Sequence, residues 1–270
     1  MQLMIGCSLL ALIILISAVG PEMTGYSYDQ TDLESKNLAP SMLHWFGTDD
    51  LGRDVFTRCW FGARISLLVG VAAALIDMII GIIWGSLAAY LGGVYEETMM
   101  RLVDILYSLP YLLIVILFMV ALEPGLISIL LSMTFLGWMT MARIVRGQVL
   151  QIMQKEYVLA ARAFGAGYFY ILRKHILPNI WGPILVTLAY TIPSAIFTEA
   201  FLSFLGLGIQ APIASLGTMA SEGLPALPYY PWRLMYPALL ISVIILAFNL
   251  IGEALREAYD VEQTAHYQLA

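Results

Sequence analysis

Residues 65–91 read ISLLVGVAAALIDMIIGIIWGSLAAYL, a run in which Asp77 is the single charged side chain. A helix crosses the hydrocarbon of a bilayer in about 20 apolar residues, so this stretch is long enough to span it and to tilt or extend past the lipid. Outward from it lie five more such runs, at approximately 3–19, 105–122, 126–142, 183–207 and 234–252. Together they predict an all-α polytopic membrane protein with about six transmembrane helices, a single domain filling 1–270. Composition points the same way: 60% of residues are hydrophobic and 12% charged, whereas soluble domains carry roughly a quarter charged residues. Glu123-Pro124-Gly125 is all that separates the third run from the fourth, and Pro with Gly stops one helix and starts another. No Lys or Arg precedes the first run, so it lacks the basic flank of a signal peptide and reads as an anchor.

Loop charge sets the sidedness, because basic loop residues tend to stay in the cytoplasm. One side carries Arg101, Arg143, Arg146, Lys155, Arg162, Arg173, Lys174 and Arg256; the other carries Lys36, Arg53, Arg58 and Arg233, with Arg64 at the border. Eight against four predicts cytoplasmic termini, an extracytoplasmic loop over 20–62 and a cytoplasmic loop over 143–180.

The sequence also excludes several function classes. With 13 basic residues against 19 acidic ones there is no basic stripe for a phosphate backbone, hence no nucleic-acid partner. Cys7 and Cys59 have no pairing logic, and His44, His175 and His266 fall on opposite sides of the membrane, so a metal site is not expected. No Gly-Lys pair occurs, hence no phosphate-cradling loop, and no serine-hydrolase or zinc-protease motif occurs either. Gly206-Leu207-Gly208-Ile209-Gln210-Ala211 matches a dinucleotide fingerprint, but it sits at a membrane helix end with Pro212 following and is a false match. The chain reads as non-catalytic.

Two connections carry the interest. The 20–62 segment holds seven acids, Glu22, Asp29, Asp32, Glu34, Asp49, Asp50 and Asp54, against three basic residues. Its second half, His44-Trp45-Phe46-Gly47-Thr48-Asp49-Asp50-Leu51-Gly52-Arg53-Asp54, mixes aromatics, glycines and alternating charge. Thr48 or Asp49 is placed to cap a short helix, and Arg53 has carboxylates on either side. In the 143–180 segment, Tyr157, Ala161, Phe164 and Tyr168 recur at helical spacing while Lys155, Glu156 and Arg162 fall on other faces. Gly165 and Gly167 are expected to end that helix, and a second helical stretch from Tyr168 is expected to run to Pro178 and turn there. Such a helix-turn-helix suits either a lipid surface or a groove on a cytosolic partner; spacing alone leaves both open.

Leu159-Ala160-Ala161-Arg162-Ala163-Phe164-Gly165, followed by His175-Ile176-Leu177-Pro178-Asn179, resembles the Glu-Ala-Ala/Gly/Ile-Leu-Pro loop of ABC importer permeases. Phe46–Phe56, Tyr90-Leu91-Gly92-Gly93, Met100-Arg101-Leu102-Val103-Asp104, Glu199–Gly208 and Asn249–Arg256 are similar to the dipeptide, oligopeptide and nickel permease family, specifically its second membrane subunit. The similarity covers about 40–260. It implies a type I ABC importer permease fold in a bacterial or archaeal plasma membrane. It further implies a related second permease, two cytosolic ATPases holding ATP and magnesium, and an extracytoplasmic binding protein as partners. Glu156, Tyr157, Ala160, Ala161, Arg162, Phe164, Gly165 and Pro178 become the ATPase-coupling residues, and Gly47, Thr48, Asp49, Asp50, Gly52, Arg53 and Asp54 the outer-loop family motif. The implied cargo is short peptides, with nickel chelates or glutathione-like compounds as alternatives, moved by alternating access. Leu159 stands where the loop's glutamate is usual, Glu156 lies one turn earlier, and the usual basic stretch before the first span is missing, which implies a truncated or late-assigned start.

Asp77 and Glu199 are the ionisable residues inside spans, where a charge costs about 2.5–3.5 kcal/mol at a helix centre. They either border a translocation path or hydrogen-bond a neighbouring helix. Gly81, Gly85, Ala89 and Gly93 form a stripe that admits another helix closely, the second permease being one candidate, and Pro193 is expected to kink the fifth span. A self-sufficient secondary transporter or channel is the rival reading. The long patterned inner loop and the lack of an evident inverted repeat argue against it.

Overall fold

A computed structural model of the chain describes residues 1–122, 125–210 and 212–268, with side chains through Asp260. Residues 123 and 124 of the expected turn, Ala211 and the His266 side chain lie outside the described residues. In chain order come α1 (Gln2–Met23), α2 (Val55–Leu91), α3 (Gly93–Tyr107), α4 (Tyr111–Ala121), α5 (Leu126–Met153), α6 (Glu156–Ala163), α7 (Tyr168–Ile171), a π turn (Leu172–Ile176), α8 (Leu177–Phe204), α9 (Leu216–Gly223) and α10 (Trp232–Gln268). The fold is all-α, as composition and run lengths require.

Glycine spacing dictates the central contact. A Cβ on Gly81 would sit 2.5 Å from the Met141 side chain, and one on Gly85 would sit 2.4 Å from the Ala142 carbonyl and 3.0 Å from the Arg146 nitrogen. Only hydrogen side chains allow two backbones that close. Residue numbers rise together along the two helices, so α2 and α5 run parallel. The stripe therefore serves a contact within this chain rather than one with a second permease; Gly93, its last member, faces open space.

A parallel pair forces the connection between its members to recross the layer. α3 and α4 do this as one broken span bent by 81°. Pro110 causes the break: it has no N–H to donate, and its ring excludes Leu109 from the helical region. The straight span expected over 105–122 is thus two pieces. The 11 residues of α4 reach only about 16 Å at 1.5 Å per residue, and α3 supplies the remainder. Among the described residues, five helices are long and apolar enough to cross a membrane alone, six with the broken pair counted once. Along its length α3 is tied to α5 by Arg143–Asp104 at 2.8 Å and Arg146–Glu96 at 2.5 Å.

α8 and α10 pack antiparallel, with Gly182 against Tyr259 and Gly252 against Tyr190, while Gly6 of α1 fits against Ala247 and Ile251. One apolar core, near the start of α2, gathers Val55, Phe56, Trp60, Ile196, Leu216 and Ile244. A second, around the end of α5, gathers Val149, Val158, Ile171, Ile176, Ile180 and Ile184. The four isoleucines are spaced five, four and four. A five-residue step leaves the stripe of a regular helix but matches a π turn, and the Leu177 N–H does donate to the Leu172 carbonyl, five residues back. The helix consequently passes Pro178 without turning, and Tyr168–Phe204 is one continuous rod. Asn179 helps by donating its side-chain N–H to the His175 carbonyl at 2.6 Å. α8 also continues as helix through Pro183 and Pro193.

Candidate functional site

Three regions carry the candidate residues. The first is the Gly47–Asp54 motif, which closes into a tight loop rather than a capped helix: Thr48 pairs with Asp54 across it, and the Asp49 N–H donates to the Arg53 carbonyl at 3.1 Å. Gly52 has φ +72, and a Cβ there would fall 1.7 Å from the Asp32 carbonyl oxygen. Thr48 and Asp49 do not cap. Asp54 caps α2 instead, accepting from the Thr57 N–H at 2.8 Å, while its other oxygen takes His44 Nδ1 at 2.9 Å. Asp49 accepts from Arg53 Nε at 2.7 Å and Arg58 Nη1 at 2.9 Å, and both arginines reach on to Glu222 of α9, at 3.4 and 3.1 Å. Arg233, at the start of α10, bonds Asp50 at 2.9 Å and Asn37 at 3.1 Å. Asp49, Arg53, Asp54, Arg58 and Arg233 are all buried. Burial pushes the Glu222 carboxyl above its ordinary value, Arg53 opposes that, Asp49 and Asp50 add to it, and Arg233 opposes it. With its side chain 43% exposed, Glu222 contributes less than the enclosed Asp49.

The second region is the membrane interior, and it separates Asp77 from Glu199. Glu199 is fully buried and answered by three serines: Ser66 Oγ of α2 donates at 3.1 Å, Ser203 Oγ at 2.9 Å and Ser215 Oγ at 2.6 Å. Ser215 caps α9 by accepting the Thr218 N–H at 3.1 Å, and Ser66 accepts the Leu216 N–H at 3.2 Å. Glu199 thus fastens α2, α8 and α9 together. Glu199→Gln turns one acceptor oxygen into a donor facing hydroxyls whose protons already point inward. The expected cost is about 1–3 kcal/mol, read as a lower melting temperature of the purified chain; an unchanged melting temperature would remove this fastening role.

Asp77 has no such answer. It lies against Gly137 of α5, where a Cβ would be 2.1 Å from its Oδ2, and it borders a cavity of about 820 Å³ between α2, α5 and α8. Thr187, Thr191, Ser194 and Thr198 line the α8 wall of that cavity, with Tyr107, Tyr111 and Tyr190 around it. Sequence reasoning missed this hydroxyl stripe, although its spacing of four, three and four was there to be read.

The third region is α6, which stands apart from the bundle. Gly165 at φ +85 ends it: the Ala166 N–H donates to the Ala161 carbonyl at 3.0 Å and the Gly165 N–H to the Arg162 carbonyl at 2.9 Å, the paired bonds of a Schellman cap. Gly167, at φ −75, needs no glycine. Val158 is buried and anchors the helix, and Arg162 rests over the Tyr90 ring at 5.7 Å. Tyr157, Ala161, Phe164 and Gly165 share a groove with Tyr170 and His175, the last two unforeseen. Phe164 is 92% exposed. Tyr168 leaves the expected face: its hydroxyl meets Ser86 Oγ of α2 at 2.9 Å and its ring lies on Tyr90. Glu156 and Ala160 are exposed away from that groove, and Pro178 sits in the first turn of α8.

A multi-span bundle with an internal cavity and an uncovered apolar groove on a protruding helix is the architecture of a membrane transport subunit. Residues 79–261 match the family described as binding-protein-dependent transport system inner membrane component, and the chain belongs to it as a non-catalytic permease. It is 56% identical over 257 residues to the oligopeptide transport system permease protein OppC of Bacillus subtilis, covering 95% of this chain and 84% of that one. To the dipeptide permease protein DppC of the same organism it is 55% identical over 258 residues, covering 95% and 81%. Escherichia coli OppC is 42% identical over 93% of this chain and 84% of its own. Among solved structures, an inward-facing methionine ABC transporter MetNI aligns at TM-score 0.61 and 20% identity over 73% of this chain and 94% of that one, a likeness of fold.

Proposed function

We propose that this chain is the membrane permease subunit of an ATP-driven importer of oligopeptides or dipeptides, forming half of the passage beside a related second permease. The cargo follows the relatives named OppC and DppC. Two cytosolic ATPase subunits, holding ATP and magnesium, supply the energy, and an extracytoplasmic binding protein delivers the peptide. Both termini and the α6 region are cytoplasmic in this reading, and the Gly47–Asp54 loop faces outward, in keeping with the eight basic residues on one side and four on the other.

The observation that carries the proposal is the rod Tyr168–Phe204. One end borders the groove of Tyr157, Ala161 and Phe164, and its middle, Thr187 to Thr198, walls the cavity. An ATPase seated in that groove pushes one end of a stiff helix and moves the other. Interfaces packed to backbone contact move in discrete steps rather than deforming continuously, which suits alternating access. In proteoliposomes containing the four-part membrane complex, a labelled dipeptide should accumulate only with ATP and binding protein, and the purified chain alone should turn over no ATP. ATP hydrolysis by the chain alone, or uptake driven by a proton gradient without ATP, would overturn the proposal.

A further inference from the structure

We propose that the cavity beside Asp77 receives the protonated amino end of the transported peptide, with the Asp77 carboxylate as its anionic contact and the hydroxyl oxygens of α8 as its neutral ones. This rests on the peptide reading above and adds which end of the peptide is held, and by what.

Asp77 is buried to 6% exposure, and its Oδ1 is one of three buried side-chain polar atoms among the described residues that have no hydrogen-bond partner. The other enclosed acids are answered, Glu199 by serines, Asp49 by two arginines and Asp54 by His44 and Thr57. An unanswered carboxyl bordering a cavity is placed to be answered by what enters it. The α8 wall then narrows the chemistry. Thr187 Oγ1 donates to the Pro183 carbonyl at 2.8 Å, Thr191 Oγ1 to the Thr187 carbonyl at 2.9 Å and Thr198 Oγ1 to the Ser194 carbonyl at 2.9 Å. Each hydroxyl proton is committed to the helix backbone, so each oxygen has only lone pairs left for a guest. The Tyr111 hydroxyl lies 3.5 Å from the Met133 carbonyl and also meets the Thr198 hydroxyl. Three acceptor oxygens of α8 in the same cavity as one unanswered carboxyl suit a ligand group that is all donor and positively charged. The α-ammonium of a peptide, with three N–H bonds and no acceptor, meets that demand, whereas its carboxylate does not. The cavity's cation, Arg256, belongs to α10, beyond the Gly252–Tyr190 contact, with Asp260 at 3.9 Å. A volume of about 820 Å³ suits a small-molecule guest.

The test uses the complete importer in proteoliposomes, with labelled tri-alanine on saturating binding protein, so that recognition by that separate subunit is held constant. Asp77→Asn keeps the shape and removes the charge; it should slow uptake at least about tenfold while binding-protein-stimulated ATP hydrolysis stays near the wild-type rate. Asp77→Glu should recover part of the loss, and Thr191→Val, which removes one acceptor at constant volume, should slow uptake to a smaller degree. Unchanged uptake by Asp77→Asn at equal protein amount would overturn the inference. So would loss of uptake and ATP hydrolysis together with no rescue by Glu and normal transport by Thr191→Val, since that pattern belongs to packing. Wild-type complex that moves no tri-alanine would instead overturn the peptide reading on which the inference stands.

Discussion

Cells carrying Ala161→Glu should insert the importer in normal amounts and take up almost no peptide. Ala161 is half-buried in a groove it shares with Tyr157, Phe164, Tyr170 and His175, while the fully buried Val158 anchors α6. A glutamate there leaves the fold intact and puts a carboxylate where a partner must exclude water. An unpaired charge buried at an interface costs about 3–5 kcal/mol, and 1.4 kcal/mol is tenfold, so uptake should fall by two orders of magnitude or more. Measuring uptake beside membrane abundance separates docking from folding. Full uptake at normal abundance would show that α6 lies against something other than the ATPase, the lipid surface being the other home for such a helix.

Gly85→Val should remove most of the protein from the membrane. The first added carbon would already lie 2.4 Å from the Ala142 carbonyl and 3.1 Å from Val145 Cβ, and backbone, unlike a flexible side chain, does not swing away. α2 and α5 must separate along their parallel contact, and overpacking costs about 1–3 kcal/mol, more where backbone has to move. Helices in lipid associate mainly through such close packing, so there is little else to hold the pair. Gly147→Ala is the control: it lies on the same α5, with open space where its Cβ would point, and should leave abundance and melting temperature unchanged. A Gly85→Val chain as abundant and heat-stable as the wild type would mean that the two helices do not meet at this glycine.

Apolar run length made the crossings legible, because the bilayer imposes it directly. What it could not show is where helices extend beyond lipid. α2 begins at Val55, ten residues before its apolar run, since Thr57 and Arg58 read as loop until Asp54 is seen to cap the one and Asp49 and Glu222 to enclose the other. Glu222 lies 164 residues from Arg58, and no local pattern announces such a partner. α5 likewise continues past residue 142 to Met153 because Arg143 and Arg146 find Asp104 and Glu96 on α3. The α6 groove was half legible: Tyr157, Ala161 and Phe164 follow helical spacing, and the same spacing runs on to Tyr168, but a Schellman cap and a fresh helix intervene and turn Tyr168 to another face. Of the two interior acids, spacing gave no means of telling the answered Glu199 from the unanswered Asp77. That difference lies in serines brought from three separate elements.

The ring of ion pairs around Gly47–Asp54 acts like the rivet of a pair of tongs. It clamps the leading ends of α2 and α10 to the trailing end of α9, and Thr24 adds the trailing end of α1 through a 2.6 Å bond to Thr57. Prising those ends apart would strand several enclosed charges at once, so they travel as a block. If the chain pairs with a second permease as proposed, a passage on that face parts along the seam between the two subunits rather than between these clamped ends.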